Sequence, residues 1–351
     1  MTWRMPSETD HHTCTWMAWP SSGYTLGDTD ADADEARATW AAVAHAVSEF
    51  EPVRMVVDPS AVQVAKDWLG SDVDLLEAHL DDAWMRDIGP SFVLGEPGTD
   101  VAGRLGAVAW VFNGWGAQQW ASWEHDAKIG RLVAQWAGAE LVESPLINEG
   151  GGIHVDGRGT VLVTETVQRG EGRNSTWSRA EVEAELARTI GASRVVWLPR
   201  GLTRDYDEFG TRGHVDIVAT IPLPGTVLVH AQPDPSHPDH EAVAEILASF
   251  DDSWDIVALP APTLLEDEHG FVDYSYVNHL VCNGGVVACG FDDARDDEAF
   301  EILRSAYPGR RVVSVDARPL FARGGGIHCI TQQQPAHPAT LPGGKPRRPR
   351  P

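Results

Sequence analysis

Near its C-terminal end the chain reads Arg323-Gly-Gly-Gly-Ile-His-Cys-Ile-Thr-Gln-Gln-Gln-Pro335. The three glycines that open this stretch have no Cβ, so they allow a ligand to approach the backbone closely. The apolar residues that follow predict a short strand that carries Cys329. A thiolate at this position would be a nucleophile, provided that its pKa is lowered and a base lies nearby.

His328 is the nearest candidate for that base, but strand geometry argues against it. Neighbouring side chains on a strand point to opposite faces, so His328 and Cys329 would face apart. The partner of Cys329 should therefore come from another part of the chain.

A repeat runs through the rest of the sequence. The triple-glycine element occurs twice, as Gly150-Gly-Gly-Ile-His154 and as Gly324-Gly-Gly-Ile-His328. Polar residues next to glycines or short apolar strands recur at intervals of roughly 50 to 65 residues, a period typical of modular or propeller-like folds. A closed ring of five such units would bring one polar residue from each to a shared axis; the alternative is coincidental spacing with polar strand ends on the surface. These residues are Asp87, Glu149, His214, Asn278 and Cys329.

Strands and helices alternate up to residue 335, which predicts a single α/β domain over 1–335. We expect helices over 34–50, 61–69, 125–137, 178–190, 240–250 and 296–306, with Ser178 in a cap position. We expect strands over 13–20, 53–57, 108–112, 194–198, 213–218, 226–230, 286–289 and 312–315, another beginning at 276–278, and a hairpin at 155–161. Residues 336–351 are rich in Pro and Gly and are predicted to form a disordered tail.

The composition is that of an acidic globular protein of 351 residues with a net charge of −25. This charge disfavours nucleic acid as a partner. It could attract a cationic substrate, or it could simply favour solubility. No apolar run is long enough to span a membrane, and the first ten residues lack a secretory apolar region. Because the four cysteines form no C-x-x-C pair either, we expect a cytoplasmic protein with reduced thiols.

Several polar residues are candidates for a catalytic or substrate-binding role, and each could instead have a purely structural role. His214 and Asp216 would lie at i and i+2 of one strand, so their side chains would face the same way. They could be a general acid or base with its carboxylate partner, or only a structural pair. Asp87 precedes a Gly-Pro turn and could be an ordinary turn aspartate or a partner of Arg86. Glu149 precedes three glycines, an unusual place for a purely structural carboxylate, and a helix cap is excluded there because a strand is expected to follow.

Taken together, three carboxylates, one histidine and one cysteine suit a cationic substrate better than acyl transfer, which needs an oxyanion hole. Carboxylates bind a planar guanidinium bidentately. At a separation of about 4 Å and an effective dielectric constant near 20, the attraction between one carboxylate and the guanidinium is about 4 kcal/mol before the cost of desolvation. A cation held in this way would stabilise the Cys329 thiolate, which could then attack the guanidinium carbon.

A metal site is the rival interpretation. His11 with His12, or His237 with His240, would offer ligands, but these segments are terminal or rich in proline and lack a consistent set of Cys or His partners. We therefore expect no metal.

The motifs resemble the agmatine deiminase family, which is related to bacterial peptidyl-arginine deiminases in the pentein superfamily of guanidine-modifying proteins. This resemblance implies a five-bladed α/β-propeller with pseudo-fivefold repeats. The matching stretches follow one another over nearly the whole chain: Thr15-Trp-Met-Ala-Trp-Pro20, Trp84-Met-Arg-Asp-Ile-Gly-Pro90, Glu149-Gly-Gly-Gly-Ile-His-Val-Asp-Gly157, Gly213-His-Val-Asp216, Ser275-Tyr-Val-Asn278 and 324–335.

The resemblance also implies roles for the conspicuous polar residues. Cys329 would be the nucleophile and His214 the general acid and base. Glu149 would help to fix the substrate and the proton, while Asp87 and Asp216 would grip the guanidinium. Ammonia would leave, and water would then release the ureido product from a thiouronium adduct on the cysteine, without any cofactor.

Other residues are expected around the substrate. Asn278 matches a residue near the pocket in these relatives. Trp84 could flank the cation through a π contact, and Gly325 and Gly326 would allow close approach. Arg212 completes the predicted substrate-binding set.

The sequence also departs from the family pattern. An acidic residue suited to holding a distal amine usually stands four positions before the histidine, where this chain has Gly210. Arg212 and Ile217 stand where Asn is usual. An arginine near the pocket could suit a substrate with a carboxylate, such as arginine or an arginine-ended peptide. Alternatively, a shifted loop could supply the missing anion from Asp205, Asp207 or Glu208.

We therefore expect a cytoplasmic, cofactor-free hydrolase of a small cationic guanidino substrate, converting agmatine to N-carbamoylputrescine, a step of putrescine biosynthesis. Free or peptidyl arginine is the alternative substrate. The chain could instead be an amidinotransferase or a non-catalytic binding protein of the same fold. The sequence leaves open whether the chain forms a homo-oligomer.

Overall fold

The computed structural model describes residues 2–267 and 270–337. Of the predicted tail, 338–351 lie outside the described residues, so the tail stays a prediction. The strands are β1 (Trp3–Arg4), β2 (His12–Ala18), β3 (Val53–Val57), β4 (Asp74–Glu77), β5 (Ser91–Gly95), β6 (Leu105–Val111), β7 (Glu140–Ile147), β8 (Ile153–Val155), β9 (Thr160–Thr164), β10 (Arg194–Leu198), β11 (Ala219–Leu223), β12 (Thr226–Ala231), β13 (Asp255–Pro260), β14 (Glu266–Asp267), β15 (Gly270–Phe271), β16 (Leu280–Cys282), β17 (Gly285–Gly290), β18 (Arg311–Asp316) and β19 (Thr331–Pro335).

The helices lie mostly between strands of one sheet. Within the described ranges, none is long and apolar enough to cross a bilayer. The α-helices are α1 (Gly23–Leu26), α2 (Asp30–Ser48), α3 (Val62–Leu69), α4 (Met85–Ile88), α5 (Gly114–Ala117), α6 (Asp126–Trp136), α7 (Glu165–Gln168), α8 (Arg179–Ile190), α9 (Asp239–Leu247), α10 (Asp296–Ala306) and α11 (Arg318–Phe321). Short 3₁₀ helices span Pro59–Ala61, Gly150–Gly152, Arg204–Tyr206 and Val215–Ile217.

Five sheets repeat one topology. Each contains an antiparallel pair followed by a parallel strand, and a helix connects the two parallel neighbours. Along the chain the sheets are β19-β2-β3-β4, β1-β5-β6-β7, β8-β9-β10, β11-β12-β13 and β16-β17-β18, and β14 pairs with β15 in a separate hairpin. Because β19 near the C-terminal end pairs with β2 near the N-terminal end, the first sheet joins the two ends of the chain.

Contacts between neighbouring sheets form a closed series. Strand β19 contacts β5, helix α8 contacts β7, and β8 contacts β11. Helix α10 contacts β13, and α2 contacts β18, which returns to the first sheet. The α/β fold class is thus confirmed, and this ring of contacts agrees with the five repeated units expected from the spacing.

Local sequence signals explain the longer helices. Ser178 caps α8 in a reciprocal capping box with Glu181, as predicted for this position. Thr29 and Asp32 form the same device at the start of α2, so that this helix begins four residues before the predicted start. The buried faces of these helices pack on sheets whose central strands are largely buried and mostly apolar, such as β12 and β17.

Three predicted strands are wrong, and all of them lie at residues that the sequence predicts for the site. Residues 213–218 do not form a strand, because a 3₁₀ helix spans Val215–Ile217. Cys329 is not on a strand either, because it lies in the turn over 327–330 and β19 begins only at Thr331. The segment 276–278 is also a turn, with β16 starting at Leu280.

Candidate active site

Cys329 is fixed in its turn by contacts from distant parts of the chain. Its carbonyl oxygen accepts a hydrogen bond from the backbone N–H of Arg86, at 3.0 Å. The Asn278 Nδ2 group lies 3.2 Å from the sulfur, and the sulfur lies 3.5 Å from the Asp216 Oδ2 atom. The cysteine is 5% exposed, so its thiol reacts inside the protein rather than at its surface.

The loop that carries His214 is shaped by one buried carboxylate. Asp205 accepts hydrogen bonds from the backbone N–H groups of Thr211, Gly213 and His214, at 2.6, 2.6 and 3.1 Å. These amides therefore bond to a side chain instead of a neighbouring strand, which explains why the expected strand does not form. The two oxygens of Asp205 are thereby occupied by donors from its own loop.

His214 and Asp216 still reach the same region from this turn. A Cβ atom at Gly151 would lie 2.5 Å from His214 Nδ1 and 3.1 Å from Asp216 Oδ2, so the absence of a side chain at Gly151 lets the two groups converge. The buried atoms His214 Nδ1 and Asp216 Oδ1 have no hydrogen-bond partner among the described residues. Buried polar atoms of this kind are normally satisfied, so both are available to a ligand.

Glu149 is fully buried at the end of β7 and is held by a cation that the sequence analysis missed. The Arg173 Nε group donates to both carboxylate oxygens of Glu149, each at 3.1 Å. The Arg173 Nη2 group donates to the carbonyl of Thr211 at 2.8 Å, which ties Glu149 to the His214 loop. His214 Nε2 lies 3.3 Å from Glu149 Oε2. A 3₁₀ helix follows Glu149 instead of the expected strand. The Glu149 side chain makes no hydrogen bond that caps this helix.

Asp87 lies on α4, opposite the glycine turn. Its Oδ1 atom accepts from the N–H of Gly151 at 3.0 Å, and its Oδ2 atom accepts from Trp115 Nε1 at 2.9 Å. His214 Nδ1 is 3.9 Å from the same Oδ1 atom. Asp87 is therefore oriented by two donors on the side of the pocket that faces His214.

The pocket around the sulfur has aromatic and glycine walls. A Cβ atom at Gly325 would lie 2.6 Å from a ring carbon of Trp84 and 3.1 Å from the Cys329 sulfur. A Cβ atom at Gly326 would lie 2.5 Å from Asn278 Oδ1. These glycines therefore allow the sulfur, the indole and the amide to meet. The pocket is lined by Trp84, Asp87, Trp115, Trp120, Phe209, Thr211, Gly324 and Cys329.

Arg212 is not brought to this pocket. Its side chain is exposed and bonds to the carbonyl of Tyr206 and, at 3.0 Å, to Gln118 Oε1. It lines a neighbouring cleft together with Glu171, and Trp115 forms a wall of both this cleft and the pocket around the sulfur. The placement next to His214 in sequence was misleading because Arg212 has a φ of 71°, which turns its side chain away from its neighbours.

The distances gather the predicted site residues into one cluster, with the exception of Arg212. The cluster draws on all five connections between successive sheets: Asp87 lies between β4 and β5, Glu149 between β7 and β8, His214 and Asp216 between β10 and β11, Asn278 between β13 and β16, and Cys329 between β18 and β19. This arrangement can be compared with known proteins. The sequence pattern that defines the Porphyromonas-type peptidyl-arginine deiminases matches residues 4–335.

The chain belongs to this deiminase family.

Relatives of the deiminase family match over nearly the full length. A protein of Streptomyces coelicolor, named provisionally as an agmatine deiminase, is 58% identical over 343 residues, covering 95% of this chain and 99% of its own. The agmatine deiminase of Ectopseudomonas mendocina is 37% identical over 362 residues, covering 95% of each chain. Among solved structures, the agmatine deiminase of Enterococcus faecalis superimposes with a TM-score of 0.86 at 29% identity, covering 95% of this chain and 96% of its own.

Burial and charge set unusual pKa values in the deiminase pocket. Burial, together with the charges of Asp216 and Asp87, raises the pKa of the Cys329 thiol well above its ordinary value. Burial alone would lower the pKa of His214, but the charges of Asp87 and Glu149 outweigh it and raise the pKa to about 9. At neutral pH these shifts favour the thiol form of Cys329 and the imidazolium form of His214.

The pKa values of the carboxylates in the pocket are shifted in different directions. Burial raises the pKa of Asp87, and the charges of Asp216 and Glu149 raise it further. For Glu149, the effect of burial is outweighed by Arg173 and His214, so its pKa is lowered. A bound cation would favour the ionised form of all of them and of the thiol.

The raised pKa of His214 predicts an alkaline limb in the activity profile. If the imidazolium is the required acid, kcat at saturating substrate should fall as pH rises through about 9, because His214 loses its proton there while the bound cation keeps the thiol ionised. The stabilisation that His214 gains on folding should also be present below its ordinary value near 6.5 and be lost through the same range. A profile of kcat between pH 6 and 10.5 checks this; a kcat that stays constant up to pH 10 would contradict it.

Arg173 should be essential for stability. Replacing it with methionine leaves the buried Glu149 charge without its main partner, so we expect the free energy of unfolding to fall by about 3–5 kcal/mol. Urea unfolding followed by circular dichroism measures this. The matched control is Arg104→Met, which breaks an exposed pair with Glu140 and should cost at most about 1 kcal/mol. Equal losses in the two variants would contradict the assignment.

Proposed function

We propose that this protein hydrolyses agmatine to N-carbamoylputrescine and ammonia. The observation that carries this proposal is the buried convergence of a thiol, a histidine and three carboxylates. The Cys329 sulfur lies 3.5 Å from Asp216, whose second oxygen has no partner among the described residues, and His214 lies 3.3 Å from Glu149. The relatives whose names specify agmatine as the substrate support the same reaction.

The first half of the reaction forms a bond to sulfur. The guanidinium binds between Asp87 and Asp216, and its positive charge stabilises the thiolate of Cys329, so that the thiol proton is released to solvent. The thiolate attacks the guanidinium carbon. His214 donates its proton to the nitrogen that leaves as ammonia, and a thiouronium cation remains on the sulfur.

The second half breaks that bond. His214, now neutral, accepts a proton from a water molecule, and the resulting hydroxide adds to the thiouronium carbon. The carbon–sulfur bond breaks, which regenerates the thiolate and frees the ureido product. The second proton of the water passes to solvent, where it converts ammonia to ammonium, so His214 ends in the protonated form in which it began.

The surroundings of the pocket favour a substrate whose far end is cationic. A cavity of about 440 Å³ shares the walls Phe209 and Gly324 with the catalytic pocket. The carboxylates of Asp207 and Glu208 line it, together with Asp273, whose pKa burial raises to about 7. The arginine on its wall, Arg204, is paired with Asp267 at 2.8 Å. The amine of agmatine would meet opposite charge there, whereas the α-carboxylate of arginine would meet like charge.

A ureido-product assay on agmatine, arginine and an arginyl peptide tests the proposal. We expect kcat/KM on agmatine to exceed that on arginine at least about tenfold, which corresponds to about 1.4 kcal/mol of repulsion. In the Glu208→Gln variant this ratio should narrow, because one negative charge of the cavity is removed.

The same assay distinguishes the candidate reactions. Product from arginine or the peptide alone would overturn agmatine as the substrate. Ureido product from none of them would overturn deimination and would favour an amidinotransferase or a non-catalytic binding protein.

A further inference from the structure

His328 sits next to the nucleophile and is bonded on both sides. Its Nδ1 atom lies 2.8 Å from Asp216 Oδ2, and its Nε2 atom lies 2.8 Å from Glu8 Oε1. All three side chains are buried. An ionised carboxylate only accepts hydrogen bonds, so a ring that bonds to two of them must carry a proton on each nitrogen. The geometry therefore makes His328 an imidazolium between two carboxylates.

The surroundings of Glu8 agree with this assignment and disfavour a metal ion. The possible ligand atoms of Glu8, His154 and His328 lie within 4.8 Å of one another, close enough to hold an ion. However, Glu8 and His328 are already at hydrogen-bond distance, and the Arg86 guanidinium lies 3.7 Å from the same Glu8 oxygen. His154 Nε2 bonds to Thr220. A divalent cation would displace these bonds and would lie against a buried positive charge.

The bond from His328 determines which oxygen of Asp216 a substrate can use. Oδ2 is taken by the imidazolium and faces the Cys329 sulfur, while the buried Oδ1 has no partner among the described residues. We propose that Glu8 is a positioning residue: it keeps His328 protonated, and His328 in turn holds Asp216 ionised with Oδ1 open to the guanidinium. This inference rests on the proposed deimination.

Other charged groups act on the relay formed by Glu8, His328 and Asp216 in both directions, but they do not reverse it. Burial alone would lower the pKa of His328, and Arg86 opposes its protonation too, but Glu8 and Asp216 outweigh both and raise it. For Asp216, the effect of burial is outweighed by His328 first and then by His214 and Arg86, so its pKa is lowered. The neighbouring titratable groups are His154, His279, His214, Arg86 and Cys329.

The Glu8→Gln variant tests the relay. Without the Glu8 charge, His328 should lose a proton near neutral pH, and the acid limb of kcat/KM should move to higher pH because Asp216 is protonated more easily. We expect KM for agmatine to rise about tenfold with kcat within about threefold, since Asp216 binds the guanidinium in the ground state and in the transition state alike. In Glu8→Asp, which restores the charge, the acid limb should return toward that of the wild type.

A matched control is available elsewhere in the chain. Glu51 is also buried and pairs with His12 at 3.1 Å, and its other partners, Thr15 and Asn283, are outside the catalytic pocket. Glu51→Gln should lower the thermal midpoint but leave KM and the acid limb unchanged. An unchanged KM and acid limb in Glu8→Gln, or the same response in both variants, would overturn the proposal.

A measurement without turnover separates this inference from the proposed function. Nitrogen NMR of wild-type protein labelled in histidine, with His328 assigned through His328→Gln, should show both ring nitrogens protonated at pH 7 without substrate. An unprotonated ring nitrogen would overturn the relay, whether or not the variants fold. Absence of turnover by the wild type on all guanidines would instead overturn the deimination.

Discussion

Replacing Cys329 with alanine is expected to lower kcat/KM on agmatine by at least about 10⁴-fold, because no other group can form the thiouronium bond. The side chain is 5% exposed and its sulfur contacts Asn278 and Asp216, so the substitution removes one atom from a pocket that otherwise keeps its polar groups. Ureido-product formation under saturating and limiting agmatine measures the effect. Binding of agmatine, followed by calorimetry, should persist in this variant.

Cys14→Ala is the matched control for this experiment. Cys14 is also buried, on β2, and its sulfur contacts Gln334 instead of the catalytic pocket. Its replacement should leave kcat/KM within about threefold of the wild type, since buried cysteines outside active sites behave as small apolar residues. Turnover by Cys329→Ala at the level of this control would show that catalysis does not proceed through a covalent bond to Cys329.

Replacing His214 with asparagine is expected to lower kcat by about 10²- to 10⁴-fold, the usual contribution of a general acid or base. Asparagine retains a polar group of similar reach, but it can neither donate a proton to the departing ammonia nor accept one from water. Because the alkaline limb near pH 9 is assigned to His214, the residual activity should no longer show that limb. Stopped-time product assays across pH measure both effects together.

A buried histidine away from the pocket provides the comparison. His230 lies on β12 and bonds to Ser275 at 3.1 Å. Its replacement by asparagine should retain the alkaline limb and most of the activity. If His214→Asn also retained the limb, another group would have to be the acid.

Much of the site could be predicted from the sequence because the same unit is repeated. Glycines next to single polar residues, at intervals of roughly 50 to 65 residues, indicate that one residue per unit reaches a common centre, and Asp87, Glu149 and His214 do converge. Many of the apolar strands and the cap of α8 were also predictable, since they depend on neighbours in sequence. The α8 helix, capped by Ser178, is an example.

The remaining contributors could not be predicted from periodicity because distant contacts create them. Asp205 gathers backbone amides that a strand pattern would otherwise use, so His214 lies before a 3₁₀ turn. Arg173 lies in a glycine-rich loop without a repeating pattern, although an isolated arginine among glycines is a weak signal for a buried ion pair. Glu8 precedes the first long strand, and only the closure of the ring brings it to His328.

Strands β7 and β13 were missed for a related reason. Both lie at the outer edge of their sheets. Strand β7 contains two glutamates and Pro145, and β13, although mostly apolar, exposes Asp255 and Ile256, so neither shows a clean alternation of apolar and polar residues. Each pairs in parallel with a more fully buried strand, β6 or β12. Edge strands of this composition are common because exposed charges discourage pairing with other chains.

The central claim is that the Cys329 sulfur forms a bond to the guanidinium carbon. Acid quenching during steady-state turnover of agmatine, followed by mass spectrometry of the peptides, tests it most directly. The account predicts that the peptide containing Cys329 carries an added mass equal to agmatine less ammonia, and that this adduct disappears when agmatine is exhausted. Ureido product accumulating at every quench time with Cys329 unmodified, or an adduct on a different residue, would contradict it.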